Sequence, residues 1–300
     1  MTKKRIMLAY AESGDTKTSQ AYYIAKRYFA LNPSKKGRII TADGGGIHPF
    51  EASGWLDSGQ VQHFNLIGRK TPLADCRRLS KGYWPIGDEF RAEEKFRSWE
   101  KENVGIGIID GITGTAKVLL GHMQTSEDKV GFKEAWKYEE DGETFKGLTE
   151  GHYGIVQREL YSLIQNFNTL PVDILMYTAR VGKGERKRNK ESVYGPQGAG
   201  NADTPDIPSW VHDTLHLERV NITAKNKEGD KVTQERVVAW FQEHKDPETD
   251  VPYLAKCRLM PELMPELLKR YPKGWMLMRY DKGLAEYLDV IEELEGKGKV

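Results

Sequence analysis

The sequence predicts an α/β fold with a mainly parallel central sheet flanked by helices. Three observations carry that expectation. The chain opens with an apolar run, Ile6-Met7-Leu8-Ala9-Tyr10-Ala11, which passes through a polar loop into a helical pattern from Gln20 to about Leu31. The run Val104-Gly105-Ile106-Gly107-Ile108-Ile109-Asp110 is nearly continuous, as expected of a parallel strand buried on both faces. Strand and helix patterns then alternate in the order β, α, β, mixed, β, α, α, β.

Taken in order, the first helix is marked by Tyr22, Ala25, Tyr28 and Phe29 at helical spacing. Ile39-Ile40-Thr41-Ala42 reads as a second strand, opening onto Asp43-Gly44-Gly45-Gly46. Residues 47–87 are mixed, and Phe90 to Asn103 is charged and helical in pattern. After the strand ending at Asp110, Thr115 to Met123 is helical. Ser126 to Gly151 is highly charged and reads as an insertion, a lid or an ordinary surface excursion. Tyr153 to Leu170 is an amphipathic helix, and Val172 to Arg180 is the next strand. The densest basic run, Val181 to Glu191, reads as a loop. Thr214 to Thr223 and Glu235 to Gln242 alternate and predict an antiparallel hairpin. Tyr253 to Arg258 looks like a final short strand, and Met260 to Glu295 like two helical pieces.

Composition excludes several classes. Lys plus Arg is 45 against 44 for Asp plus Glu, so no global charge favours nucleic acid or membrane, and any basic function is local. No apolar run approaches the ~18 residues that span a bilayer. Cys76 and Cys257 lack metal spacing or a disulfide framework, which suggests a reducing interior. The expected setting is the cytoplasm.

The chemistry concentrates at the ends of the apolar runs. Strand, loop, Lys-Thr and helix is the layout of a phosphate-binding P-loop. The pattern G-x-x-x-x-G-K-[ST] falls on Ala11, Glu12, Ser13, Gly14, Asp15, Thr16, Lys17 and Thr18, followed by Ser19. Both defining glycines are replaced, by Ala11 and by Thr16, and Thr16 is β-branched. Lys17 is the candidate phosphate ligand, and Thr18 the candidate Mg²⁺ ligand. Asp110 ends the strongest strand, where a second Mg²⁺-supporting group belongs. Gly111 follows it, so Asp43 is the candidate carboxylate for positioning water, with Glu12 a lesser one. Thr178 and Arg180 end the next strand, where a γ-phosphate sensor is expected. Lys256 and Arg258, at i and i+2 on a strand, share a face and suit a finger reaching into a neighbour's site. Lys183, Arg186, Lys187, Arg188 and Lys190 suit nonspecific contact with nucleic-acid phosphates, and equally a solvated charge run.

These pieces together resemble the RecA-type branch of P-loop ATPases, which includes RecA recombinases, DnaB-like helicases and small phage RecA-like annealing ATPases. The resemblance rests on residues 11–18, Ile39 to Asp43, Ile108 to Asp110, Met176 to Arg180 and Ala255 to Arg258, in that order. It implies a RecA-like core over residues 1–260, with 126–151 as insertion or lid and a helical C-terminal extension over 261–300. It also implies ATP and Mg²⁺ as cofactors and assembly with copies of itself into a ring or filament. The expected activity is ATP hydrolysis on single-stranded DNA in recombination or annealing, in a bacterial host cell if phage-encoded. The two missing glycines motivate a second expectation, a nucleotide-dependent assembly or structural phage protein with little or no hydrolysis. A kinase-like phosphotransferase is a third and weaker one.

Overall fold

Short apolar strands in parallel register build the centre of the molecule. The computed structural model describes residues 4–12, 16–42, 46–85, 99, 101–125, 136–140, 143–147, 150–225 and 230–297. In chain order its elements are β1 (Arg5–Ala11), α1 (Lys17–Leu31), β2 (Lys36–Thr41), α2 (His48–Ala52), β3 (Val61–Asn65), α3 (Pro72–Ser80), β4 (Val104–Asp110) and α4 (Ile112–Thr125). There follow β5 (Trp136–Glu140), β6 (Glu143–Gly147), α5 (Glu150–Thr169), β7 (Ile174–Glu185), β8 (Ser192–Pro196), β9 (Asp213–Lys225) and β10 (Lys231–Trp240). The last are β11 (His244–Lys245), β12 (Pro252–Tyr253), α6 (Met264–Arg270), β13 (Trp275–Leu277) and α7 (Ala285–Lys297).

The central order is β3-β2-β4-β7-β1-β9-β10-β13, and the six strands from β3 to β9 pair in parallel. A period of two sends alternate residues to opposite faces. Ile6, Leu8 and Tyr10 enter one core with residues of α4 and α5; Met7, Ala9 and Ala11 enter the other with residues of α1 and α7. Both faces of β1 are therefore apolar, which is why it reads as an unbroken run. The mostly parallel, helix-flanked α/β sheet expected from the alternation is present. So is the antiparallel hairpin, with β9 and β10 in register from Lys225↔Lys231 to His216↔Trp240.

α1 forms because Ala21, Ile24, Ala25, Tyr28 and Phe29 place one apolar stripe against the sheet. On β2, Arg38 is buried: its guanidinium lies over the rings of Trp84 and Trp99 and pairs with Glu102 at 3.0 Å, and its Nε donates to Gln62 at 3.0 Å.

Three expectations change. The basic run 181–191 is not a loop. Val181 to Glu185 prolong β7 and pair with β8, and only the turn beyond is irregular. Gly182 and Gly184 sit where the 197–205 segment crosses the strand; a Cβ on Gly184 would lie 2.6 Å from the Asn201 carbonyl. The C-terminal segment contains α6 and α7, yet Trp275 to Leu277 form β13, which pairs with β10. α7 lies on α1, where Arg27 pairs with Asp289 and Glu292, each at 2.6 Å. Tyr253 to Arg258 is a strand only at its start, with one further bridge between Lys256 and Thr214. Of the charged insertion, β5 and β6 form a two-stranded antiparallel hairpin. Glu150 and Gly151 already belong to α5, and the rest of the insertion, like most of the helical pattern at 90–103, lies outside the described residues. Among the described residues no helix is long and apolar enough to cross a membrane.

Gly107 tests the packing of β4. A Cβ there would lie 2.8 Å from Trp99 and 2.9 Å from Leu175. Gly107→Ala is expected to lower the unfolding free energy by about 1–3 kcal/mol, read from urea denaturation at unchanged m-value.

Candidate functional site

The C-terminal ends of β1, β4 and β7 meet the N-terminus of α1, and one carboxylate ties them together. Asp110 is buried at the end of β4. Thr18, in the first turn of α1, donates its hydroxyl to Asp110 Oδ2 at 2.7 Å. Thr178 donates from the other side, to Oδ1 at 2.6 Å. Thr178 also accepts the Gly111 N–H at 2.8 Å, so its hydroxyl both donates and accepts. Strand alternation explains the convergence. Asp110 shares a face with Ile106 and Ile108, and Thr178 with Ile174 and Met176, and that face carries α1. Gly111 has φ 101°, which a side chain at that position would resist. Backbone geometry thus accounts for the lack of a second acid after Asp110.

Lys17 folds over the start of the loop. Its ammonium donates to the Ala11 carbonyl at 3.2 Å and the Glu12 carbonyl at 2.6 Å. Thr16 is the N-cap of α1 in the left-handed region, at φ 35° and ψ 10°. A β-branched residue there costs about 1–2 kcal/mol. It has replaced a glycine of the motif while keeping a glycine-like backbone. Its hydroxyl makes no capping bond and is buried without a partner among the described residues, and the first turn of α1 contains no acid. The helix start therefore keeps its positive character, the property that suits anions.

Gly46 presses on the cluster from the β2–α2 connection. A Cβ there would overlap Asp110 Oδ2 and lie 3.2 Å from Thr18 Oγ1. Sequence reasoning passed over this glycine as part of a turn. It also passed over Thr41 and His63. Thr41 is the register partner of Asp110, and its hydroxyl shares a 2.8 Å hydrogen bond with His63 Nε2. Burial lowers the His63 pKa, against an opposing pull from Glu51. No motif spacing marks either residue; only the pairing of β2 with β3 and β4 brings them here.

The other predicted residues divide. Ala11, Glu12, Thr16, Lys17, Thr18, Asp110 and Thr178 come together, with Ser19 one residue further into α1. Arg180 is the register partner of Ala11, and its N–H donates to Thr113. Ser13, Gly14, Asp15 and Asp43 lie outside the described residues. Lys256 and Arg258 are not at this site. Lys256 bridges Thr214, which is level with Leu8, about 10 Å of strand below Ala11. Arg258 is exposed, and its N–H donates to Asp213, which also pairs with Arg5. Lys256 is half-buried, and burial lowers its pKa against the pull of Asp213. In the basic hairpin, Arg186 pairs with Glu191 and Glu243, Lys187 with Asp206, and Lys190 with Glu185; Lys183 and Arg188 are exposed.

Chemically, the cluster offers hard oxygen donors beside a fixed ammonium and a helix N-terminus. Adjacent ligands of an octahedral Mg²⁺ stand about 2.9 Å apart. The 2.7 Å between Thr18 Oγ1 and Asp110 Oδ2 is close to that spacing. No protein-family model matches the sequence, and no curated protein matches it.

Thr178→Val is expected to lower stability by about 1–3 kcal/mol in urea titrations, because it removes one hydrogen bond from a buried carboxylate and takes this acceptor from the Gly111 N–H.

Proposed function

We propose that the chain binds a nucleoside triphosphate, ATP by the resemblance above, with Mg²⁺ at the Lys17–Thr18–Asp110 cluster. The observation that carries this reading is the shared carboxylate. Asp110 holds one hydroxyl from the first turn of α1 and another from the neighbouring strand. A merely structural turn has no need of that convergence beside an ammonium clasped by the Ala11 and Glu12 carbonyls. In this reading the α1 N-terminus and Lys17 receive the phosphates, and Thr18 and Asp110 hold the Mg²⁺. Bound Mg²⁺ neutralises phosphate charge. Thr178 keeps Asp110 oriented, and Arg180 beside Ala11 suits the sensing of the terminal phosphate. A RecA-like ATPase assembling with itself is the wider proposal. Because Lys256 and Arg258 do not reach the site of their own chain, any finger role belongs to a neighbouring copy.

A second reading, nucleotide-dependent assembly with little hydrolysis and no DNA, is favoured by two features. Thr16 holds a glycine's conformation at a cost, and three of the five basic residues of the hairpin are already paired with acids.

Lys17→Ala is expected to weaken ATP binding at least about tenfold in equilibrium titrations with Mg²⁺. Unchanged affinity would remove the site assignment. Phosphate release with and without single-stranded DNA separates the two readings: DNA-stimulated turnover supports the recombination role, and tight binding without turnover supports assembly.

A further inference from the structure

A second polar cluster stands on the other flank of β1. His216 and Glu218 are two residues apart on β9 and share a face. His244 opens β11. His216 Nδ1 lies 3.2 Å from His244 Nε2, and ligand atoms of these two and Glu218 all fall within 4.8 Å of one another. We propose that His216, His244 and Glu218 bind one divalent transition-metal ion of the zinc class, with the fourth position open to water.

Distance, orientation and charge support the site. Two nitrogens on a tetrahedral Zn²⁺ stand about 3.3 Å apart, close to the observed separation. The rings are held by stacking: His216 on Tyr253 at 4.1 Å and 8°, His244 on Trp240 at 3.7 Å and 9°. Trp240 Nε1 donates to Glu218 Oε2 at 2.7 Å, which fixes one carboxylate oxygen and orients the other. Burial lowers His216 to about 3, helped by His244; burial likewise brings His244 down to about 4 against the Gln242 backbone and Asp246. Asp246, Glu12 and Glu218 all act on Tyr253, the ring stacked on His216, so acidic groups stand around the site. On binding, the proton shared between the two rings moves to the far nitrogen of its own ring. Two neutral ligands remain and no proton is lost.

The position gives the site a consequence. β11 and β12 hang from β8, on the β7 side of β1, while His216 is on β9, on the opposite side. Between them Tyr10 donates its hydroxyl to the Leu254 carbonyl at 2.8 Å. A metal joining His216 to His244 closes this arm over the end of β1, directly before the Lys17 loop. The proposal is independent of the nucleotide reading.

The test titrates metal-free full-length protein with Co²⁺, followed by visible absorption, and with Zn²⁺, followed by equilibrium dialysis and thermal melting. One equivalent should bind, with the intense d–d bands of low-coordinate Co²⁺, and Zn²⁺ should raise the melting midpoint. Glu218→Gln and His244→Asn should abolish the bands and the midpoint shift, and Trp240→Phe should weaken binding about tenfold. Asp110→Asn should leave the Co²⁺ spectrum intact, which separates this site from the nucleotide cluster. Circular dichroism confirms that each variant is folded. Absence of Co²⁺ and Zn²⁺ binding by the folded wild type, or binding unchanged in both Glu218→Gln and His244→Asn, would overturn the proposal.

Discussion

A buried carboxylate is costly unless hydrogen bonds and nearby positive charge compensate it. Asp110 meets that constraint with two hydroxyls, and meeting it fixes the relation of three elements. Thr18 binds the start of α1 to β4, Thr178 binds β7 to β4, and the α1 N-terminus adds a favourable field. The glycines at 46 and 111 follow from the same point: one lies too close to Asp110 for a side chain, and the other turns the chain at a positive φ. The interposition of β7 between β1 and β4 then makes the cluster span a strand instead of a single strand pair.

Much of this was legible from residue type and period. The runs at 6–11, 104–110 and 174–180 are apolar on both faces because helices cover both faces, and such strands advertise themselves. Lys17 and Thr18 were legible from the spacing of the P-loop pattern, and Asp110 and Thr178 because each stands at the end of an apolar run. What stayed hidden depended on partners distant in sequence. Nothing local to Thr41 or His63 says that β2 lies between β3 and β4. The same holds for His216 and His244, which are brought together only by the path of β11 around the end of β1. The basic run misled once: its charges read as a loop, whereas Val181 to Glu185 prolong β7, with glycine where the backbone of another segment crosses it. The tail misled for another reason, since Trp275 to Leu277 is too short to show a period and becomes a strand only because β10 offers an edge.

The two proposed sites flank β1. On one side stands the oxygen-rich cluster around Asp110; on the other, the imidazole pair. Tyr10 and Ala11 are neighbours on the strand, and one faces each core. Hard oxygen ligands suit Mg²⁺ and imidazoles suit Zn²⁺, so the two proposed sites would differ in the cation they select.

The central claim is that Thr18 and Asp110 hold a metal ion that also contacts nucleotide phosphate. Pulsed electron paramagnetic resonance of Mn²⁺, substituting for Mg²⁺, measures this directly through coupling to ³¹P, which also distinguishes it from any ion at His216 and His244. The account predicts ³¹P-coupled Mn²⁺ with ATP bound to the wild-type protein, and loss of that protein-bound signal in Thr18→Val and Asp110→Asn. A coupled signal of equal strength in all three proteins, or none in the wild type, would contradict it.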